Sequence, residues 1–413
     1  METYSAEYYT LCETERRLHL GLDRSKLQPR RYFLGKHCKD LEVAFQRRGW
    51  VPGSAADADF LWVRSRERPA SLKPGVFVNH VGGVQSLTAK SLLVSCLRHS
   101  PKAALFFPRS FALPDGFTAF TRNFGLTQTY CRAVALLEQQ GVAGAEDLKT
   151  LNEGRVLLGL STWSAVDATT ANLVSLRDNL LNEVQSAIEG SGCVWILKPG
   201  RKSRGRGITL HRSLRSIQAA VRTGHSYVLQ KYIERPLLID GRKFDLRVWT
   251  VVVGEEAQIW VYDHCYARFS VQSYTQTDLE NCYVHLTNNS VSKWAKDFES
   301  SSIPGCMWSL RQLRTHLRSR FYSGVWTVHL WPQIIEIVQH TIRTATLQPR
   351  ETAFELLGFD LLVTQDLEVW LLEVNSSPSL QHSTAVTAHL VPRMLDDLLT
   401  LVLGQAPKHF HLL

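Results

Sequence analysis

The sequence predicts an α+β protein of more than one domain, and three observations carry that reading. The chain has 413 residues, 44% of them apolar and 21% charged, which is enough for a sizeable core and excludes a small peptide-binding module or a disordered tail. The longest helical patterns lie in residues 110 to 190. From Cys193 onward the texture changes to short runs of β-branched and aromatic residues.

Taken in order, Tyr32–Gly35 and Phe60–Val63 read as short strands with a helix at Leu41–Arg48 between them, punctuated by the turn-rich Val51-Pro-Gly-Ser and Leu72-Lys-Pro-Gly. Leu92, Leu93, Cys96 and Leu97 recur at helical spacing, and Phe106–Arg109 resembles the exit of a buried strand. Helices follow at Ala133–Gln140 and Ala171–Ile188. The expected strands then come at Val194–Leu197, Gly207–Leu210, Tyr227–Ile233, Phe244–Val253 and Gln258–Tyr262. A last pair, Gly358–Thr364 and Glu368–Asn375, flanks the turn Gln365-Asp366. Val391, Met394, Leu395, Leu398, Leu399 and Val402 form the apolar face of a final helix.

Eight cysteines at 12, 38, 96, 131, 193, 265, 282 and 306 form no CxxC pair, which predicts a reducing cytoplasm and argues against zinc. Charges interleave the apolar residues of Met1–Leu22, so no signal-peptide core is expected there, and no run approaches a membrane span.

The net charge of +9 is local: residues 196 to 247 hold thirteen Lys or Arg against three acids, a net of +10. At its centre is Lys198-Pro-Gly-Arg-Lys-Ser-Arg-Gly-Arg-Gly207, whose glycines allow a backbone to fold closely over an anion while the cations neutralise phosphate. A phosphate-covering hairpin loop, a nuclear-localisation-like run and a nucleic-acid arm all fit this segment taken alone. No Gly-Lys-Ser/Thr ends it, so a Walker-type loop is disfavoured.

Asp360, Glu373 and Asn375 form a second constellation. Glu373 and Asn375 are two apart on a predicted strand and share a face. With a two-residue loop Asp360 pairs opposite Leu371 and joins them; a loop one residue longer sends it to the other side. Two carboxylates and an amide oxygen are hard ligands suited to Mg²⁺, the alternative being the polar outer face of an edge hairpin. Lys243, Asp245 and Arg247 alternate on one face of a strand, a pattern that a solvated salt-bridging strand also gives.

In order along the chain, Trp195-Ile-Leu-Lys-Pro, Arg204-Gly-Arg-Gly-Ile208, Gln230-Lys-Tyr-Ile233, Lys243-Phe-Asp-Leu-Arg247, Arg268-Phe-Ser, His285-Leu-Thr-Asn-Asn-Ser, Phe359-Asp and Glu373-Val-Asn-Ser-Ser-Pro resemble the tubulin tyrosine ligase-like family, over about Asn79 to Leu403. Within that family Val78-Asn-His-Val, Leu87-Thr-Ala-Lys90, Phe106-Phe-Pro-Arg109, Lys231-Tyr-Ile-Glu-Arg-Pro-Leu-Leu, Met307-Trp and Ser383-Thr-Ala-Val-Thr-Ala388 look most like the glycine ligases. Glutamate-adding members typically have Tyr where this chain has Asn289, and Asp and Lys after the Ser-Pro step, where it reads Ser379-Leu-Gln-His-Ser-Thr-Ala.

The resemblance implies an ATP-grasp fold with a small N-terminal domain over 1–75, a central domain over 76–229 with a helical insertion at about 110–190, and a C-terminal domain over 230–413, nucleotide lying between the last two. It implies an ATP-dependent ligase that joins glycine to glutamate side-chain carboxyls of tubulin tails through an acyl phosphate. ATP would meet Lys198, Arg204, Gly205, Arg206, Gly207, Ile208, Gln230, Lys231, Tyr232, Ile233, Lys243, Asp245, Thr287 and Asn288, and Mg²⁺ would sit on Asp360, Glu373 and Asn375. Arg247 and Arg268 would act in catalysis at the γ-phosphate and the activated carboxyl, with Arg268, Asn289, Ser290 and Lys293 at the substrate. The implied partners are acidic tubulin tails and glycine, with neither membrane nor nucleic acid, for a monomer in the cytoplasm, cytoskeleton and axoneme of a cilium or flagellum. A polyglutamylase of the same family and a catalytically silent microtubule-binding protein are the alternatives.

Overall fold

Three sheets carry the fold of the described residues. The computed structural model describes residues 29–413 apart from 36, 65–66, 68–71, 140–142, 182, 186–187, 191 and 201. The charged segment Met1–Leu22 and Arg201 of the basic loop, on which expectations above bear, lie outside the described residues.

The first sheet is parallel, in the order β2-β1-β3-β4, from β1 (Arg31–Leu34), β2 (Val51–Pro52), β3 (Phe60–Trp62) and β4 (Phe77–Val78). The helix Lys39–Arg47 connects β1 to β2 and buries Leu41, Ala44 and Phe45, with Phe45 stacked on Tyr32 at 4.6 Å. Tyr32, Phe45, Trp50 and Phe60 share one core with Val391, Met394, Leu395 and Leu398 of the helix Ala385–Val402. Arg48 fastens that joint by donating to Asp396 at 2.6 Å and to Thr400 at 2.8 Å.

The second sheet is antiparallel, order β5-β8-β6-β7, from β5 (Ser110–Leu113), β6 (Trp195–Pro199), β7 (Thr209–His211) and β8 (Tyr227–Lys231). Helices Phe117–Gln139, Ala145–Leu157 and Thr170–Leu180 cover it through Phe120, Phe124, Leu176, Trp195 and Leu229. The expected helix at Ala133–Gln140 is thus the tail of a longer one. Its first half is rich in threonine, a poor helix former, and Thr121 and Thr127 turn their hydroxyls back onto the Phe117 and Asn123 carbonyls at 2.9 and 2.8 Å. The expected helix at Ala171–Ile188 ends at Leu180. Phe106–Arg109 is not a strand: a 3₁₀ turn, Lys102–Leu105, precedes it and β5 begins at Ser110. Pro108 has no N–H to give a ladder, and Phe106 and Phe107 are buried as plugs in the core instead.

The third sheet has eight strands: β9 (Leu238–Ile239), β10 (Arg242–Val253), β11 (Gln258–Tyr262), β12 (Tyr266–Phe269), β13 (Met307–Ser309), β14 (Phe354–Val363), β15 (Val369–Ser376) and β16 (Phe410–Leu412). Its centre, β10, is buried on both faces, which explains the apolar run of its second half, Val248–Val253, broken only by Thr250. Leu246, Val248 and Val252 enter the core shared with helices Lys90–Leu97, Leu310–Arg320 and Trp331–Thr344, while Trp249 and Val251 enter the core shared with Ala385–Val402.

The β14–β15 hairpin differs from its expected register in two places. The loop has three residues, with Leu367 at φ 65° and the Thr364 N–H donating to the Glu368 carbonyl at 2.9 Å. Alone, that would put Asp360 on the wrong face. A bulge between Asp360 and Leu361 leaves Leu372 as the extra residue, so Leu361 opposes Leu371 but Asp360 opposes Glu373. Two one-residue departures cancel, and Asp360 faces the same side as Glu373 and Asn375. No helix among the described residues is long and apolar enough to cross a membrane.

Candidate active site

A cleft of about 820 Å³, counting its solvent-open part, lies between the second and third sheets. Strands β6 and β8 supply Ile196, Lys198 and Gln230 to one wall; β10, β14 and β15 supply Lys243, Asp245, Asp360, Leu372 and Glu373 to the other; the basic loop roofs it with Lys202 to Arg206 and Ile208.

On the third sheet, cross-strand pairing builds a row of alternating charge. Asp245 opposes Arg268, Arg247 opposes Asp360, and Asp360 opposes Glu373. Arg268 grips Asp245 with Nε and Nη2 at 2.6 and 2.8 Å and reaches Asp360 at 2.9 Å. Arg247 grips Asp360 with Nε and Nη2 at 2.6 and 3.1 Å. All four side chains are buried, so the strand is not the solvated one that the alternating pattern also allowed. Burial opposes ionisation of Asp360, yet Arg247 and Arg268 hold its carboxyl well below the usual range. Among the described residues, the hydrogen bonds of these two arginines are made by Nε and Nη2, and Nη1 of neither has a partner. The Thr287 hydroxyl also donates to Asp245.

Lys198 and Lys243 contribute the opposite imbalance. The Lys198 ammonium donates to Gln230 Oε1 at 2.6 Å and to the Leu372 carbonyl at 3.3 Å; the bulge is what frees that carbonyl. The Lys243 ammonium donates to the Tyr232 hydroxyl at 3.0 Å and the His285 carbonyl at 3.2 Å. Every one of these acceptors is neutral. Burial, only partly offset by the Glu373 and Asp360 carboxylates near Lys198 and by Asp245 near Lys243, pushes Lys198 down to about 8 and Lys243 down to about 7 from 10.5. Tyr232 passes its own proton to a bond with His285 Nδ1 at 3.0 Å, and His285 Nε2 donates to the Asp278 carbonyl at 2.8 Å. Burial drops His285 to about 4, so it is neutral.

The roof turns on residues with positive φ: Arg204 at 61°, Gly205 at 73° and Gly207 at 72°. Lys90 Nζ donates to the Lys202 carbonyl at 2.8 Å, and the Ser290 hydroxyl donates to the Arg204 carbonyl at 3.2 Å.

Most of the expected site residues line this cleft: Lys198, Arg204, Gly205, Arg206, Ile208, Gln230, Lys231, Tyr232, Ile233, Lys243, Asp245, Thr287, Asn288, Asp360 and Glu373. Lys231 presents its backbone, because its ammonium is turned away into an ion-paired cluster with Glu234 at 2.5 Å and Glu189 at 3.1 Å. Arg247 and Arg268 stand behind the acidic row. Asn289, Ser290 and Lys293 sit at a short helix beside the roof; Asn289 keeps a buried Oδ1 without a partner, while Lys293 is exposed, its ammonium 5.0 Å from the Trp294 ring centroid. Lys90 and His285 were assigned no role from sequence. Each acts through a backbone carbonyl or another side chain far away in the chain, which leaves no local spacing to read.

Hard-cation chemistry fits the donor set. Asn375 Nδ2 lies 3.2 Å from Asp360 Oδ2 and 3.4 Å from Glu373 Oε1, so the three side chains converge. Glu373, which is half-buried and bonded only to Asn375 among the described residues, is the most open ligand; Asp360 is shared with the arginines.

The family profile described as Tubulin-tyrosine ligase family matches residues 156–409. The chain is 40% identical over 239 residues to a protein named Tubulin monoglycylase TTLL3 from Danio rerio, covering 54% of this chain and 31% of that one. It is 38% identical over 250 residues to Tubulin glycylase 3D from Tetrahymena thermophila, covering 59% and 24%. Protein monoglycylase TTLL8 from Mus musculus is 35% identical over 233 residues, covering 54% and 28%. The matched part spans about a third or less of those relatives' lengths. With the profile match running from the helical layer through the β6, β8, β10, β14 and β15 walls of the cleft to the residue before β16, the chain belongs to the tubulin-tyrosine ligase family.

Proposed function

We propose that the protein is an ATP-dependent ligase that attaches glycine to glutamate side-chain carboxyls of tubulin C-terminal tails. One observation carries the nucleotide part: two buried ammonium groups, Lys198 and Lys243, share a cleft and have only neutral acceptors. Buried charges are normally paired, and a polyphosphate supplies the missing anion. The amino-acid and acceptor parts are supported by the names of the relatives and by the basic roof, which suits an acidic tail.

In this reading Lys198 and Lys243 bind phosphate, and the backbone of Lys231 to Ile233 meets the base. Mg²⁺ would be held by Glu373, Asn375 and the shared Asp360, and would supply neutralisation of phosphate oxygens. The acceptor carboxylate oxygen bonds to the γ-phosphorus as the bond from that phosphorus to ADP breaks, giving an acyl phosphate and ADP. The unprotonated glycine amine then forms the C–N bond as the C–O bond to phosphate breaks; the nitrogen gives up a proton to solvent, and inorganic phosphate leaves. Arg247 and Arg268, each guanidinium fixed in advance by its carboxylate, would stabilise the charge that develops. The Gly205–Gly207 roof excludes water from the acyl phosphate. Purified protein with ATP, Mg²⁺ and radiolabelled glycine should label tubulin, and unlabelled glutamate in excess should not compete. Glu373→Gln should abolish labelling; undiminished labelling would remove Glu373 from the site.

A further inference from the structure

A second cluster of ligating side chains lies outside the cleft, where β11 ends and β16 runs beside it. Val261 opposes His411 and Tyr262 opposes Phe410, and the Asp263 N–H extends the ladder to the His409 carbonyl at 2.9 Å. Asp263 therefore stands opposite His409 on one face of the sheet, with His411 two residues further along the same face. His409 Nδ1 and His411 Nε2 lie 3.3 and 3.2 Å from the Asp263 carboxylate, and His264 Nδ1 also contacts it. One ligand atom from each of Asp263, His264 and His409 falls within a 4.8 Å span.

The frame beneath is fixed. The buried carboxylate of Asp397 accepts the N–H groups of Lys408, His409 and Phe410 at 2.7, 2.8 and 3.1 Å, so the histidine-bearing segment cannot drift along β11. The side chains above it are between 31% and 58% exposed, which leaves an open approach from solvent and freedom to adjust rotamers.

We infer that Asp263, His264, His409 and His411 form a binding site for a divalent transition-metal ion of the zinc class. Three imidazole nitrogens and one carboxylate oxygen are a tetrahedral zinc donor set and a poor one for Mg²⁺. Ligands about 2.0–2.1 Å from zinc are roughly 3.3 Å from each other in a tetrahedron, which is the separation already seen between Asp263 and its two β16 histidines. The ion would tie the β16 strand to β11, independently of the nucleotide reading.

The test is titration of the whole 413-residue chain with Zn²⁺ alone, against a chromophoric chelator. One equivalent should bind, His409→Ala with His411→Ala should weaken it at least tenfold, and excess Mg²⁺ should leave it unchanged. Co²⁺ in its place should give ligand-field bands without a thiolate charge-transfer band, and Zn²⁺ should raise the Tm of the parent chain only. Equal affinity in the double variant, a thiolate band, or no stoichiometric binding overturns the inference. Asp263→Asn, which leaves the β11–β16 ladder intact, repeats the comparison should the double variant fold poorly.

Discussion

Asp360 shows how far a single carboxylate can be committed. It accepts three hydrogen bonds from two buried guanidiniums, whereas Glu373 opposite it is hydrogen-bonded, among the described residues, to the Asn375 amide alone. Removing the charge at 360 leaves Arg247 and Arg268 buried and partly unpaired, a change that typically costs about 3–5 kcal/mol. Asp360→Asn should therefore lower the Tm clearly, while Glu373→Gln should leave it within about a degree; equal shifts in a thermal melt would show that the acidic row does not bear this load. The two lysines make a pH prediction whose sign follows from their direction. Both are depressed from 10.5, to about 7 at Lys243 and about 8 at Lys198. The unfolded chain then binds more protons than the folded one above pH 7, so these groups make the ligand-free fold relatively more stable as pH rises toward 10.5. A polyphosphate reverses the preference and recharges them. Nucleotide binding near pH 8.5 should take up protons, and affinity should fall between pH 7 and 9. Calorimetry in buffers of different ionisation enthalpy reads this directly, and a proton balance of zero would refute it.

At the scale of elements, the hairpin and the roof show why some of the site was legible and some was not. Glu373 and Asn375 share a strand face by alternation alone, and that much is local. The placement of Asp360 beside them depends on loop length and on a bulge, and neither leaves a mark in the pattern of apolar residues. The bulge also frees the Leu372 carbonyl for Lys198, a contact across 174 residues that no spacing argument reaches. The roof is more local: its glycines announce a backbone that L-residues resist. At Gly205 a Cβ would meet Val291 Cγ2 at 2.9 Å and Asn288 Oδ1 at 3.2 Å, at a φ of +73°. The left-handed conformation costs a side-chain-bearing residue about 1–2 kcal/mol. Gly205→Ala should thus weaken nucleotide binding roughly tenfold, with little change in Tm because the roof lies outside the apolar cores; unchanged affinity in a fluorescent-nucleotide titration would mean that the roof does not bear on the ligand. Zinc was argued against from cysteine spacing, and that argument reaches thiolate sites only. Asp263-His264 and His409-Phe-His411 meet because two strands pair, and the sequence holds them far apart.

Across the whole molecule, the strands around the cleft were legible because β-branched and aromatic runs between turns are a strong signal. The roles of the helices were not. Residues 110–190 read as a helical insertion, and the structure makes the helices within them the layer that covers the second sheet. The first sheet lies largely in the segment expected as a small N-terminal domain, and its Tyr32 and Phe60, with Phe45, share a core with the helix Ala385–Val402, a contact across the chain that no spacing in the sequence reveals. That joint has a consequence for synthesis. Arg48 and its partner Asp396 are separated by 348 residues, so the side of this core that the helix Ala385–Val402 closes stays open on the nascent chain until that many more residues have been made. At about 5–20 residues per second the wait is on the order of 20–70 s. For that interval the nascent chain carries an exposed aromatic surface, which favours attendance by a chaperone.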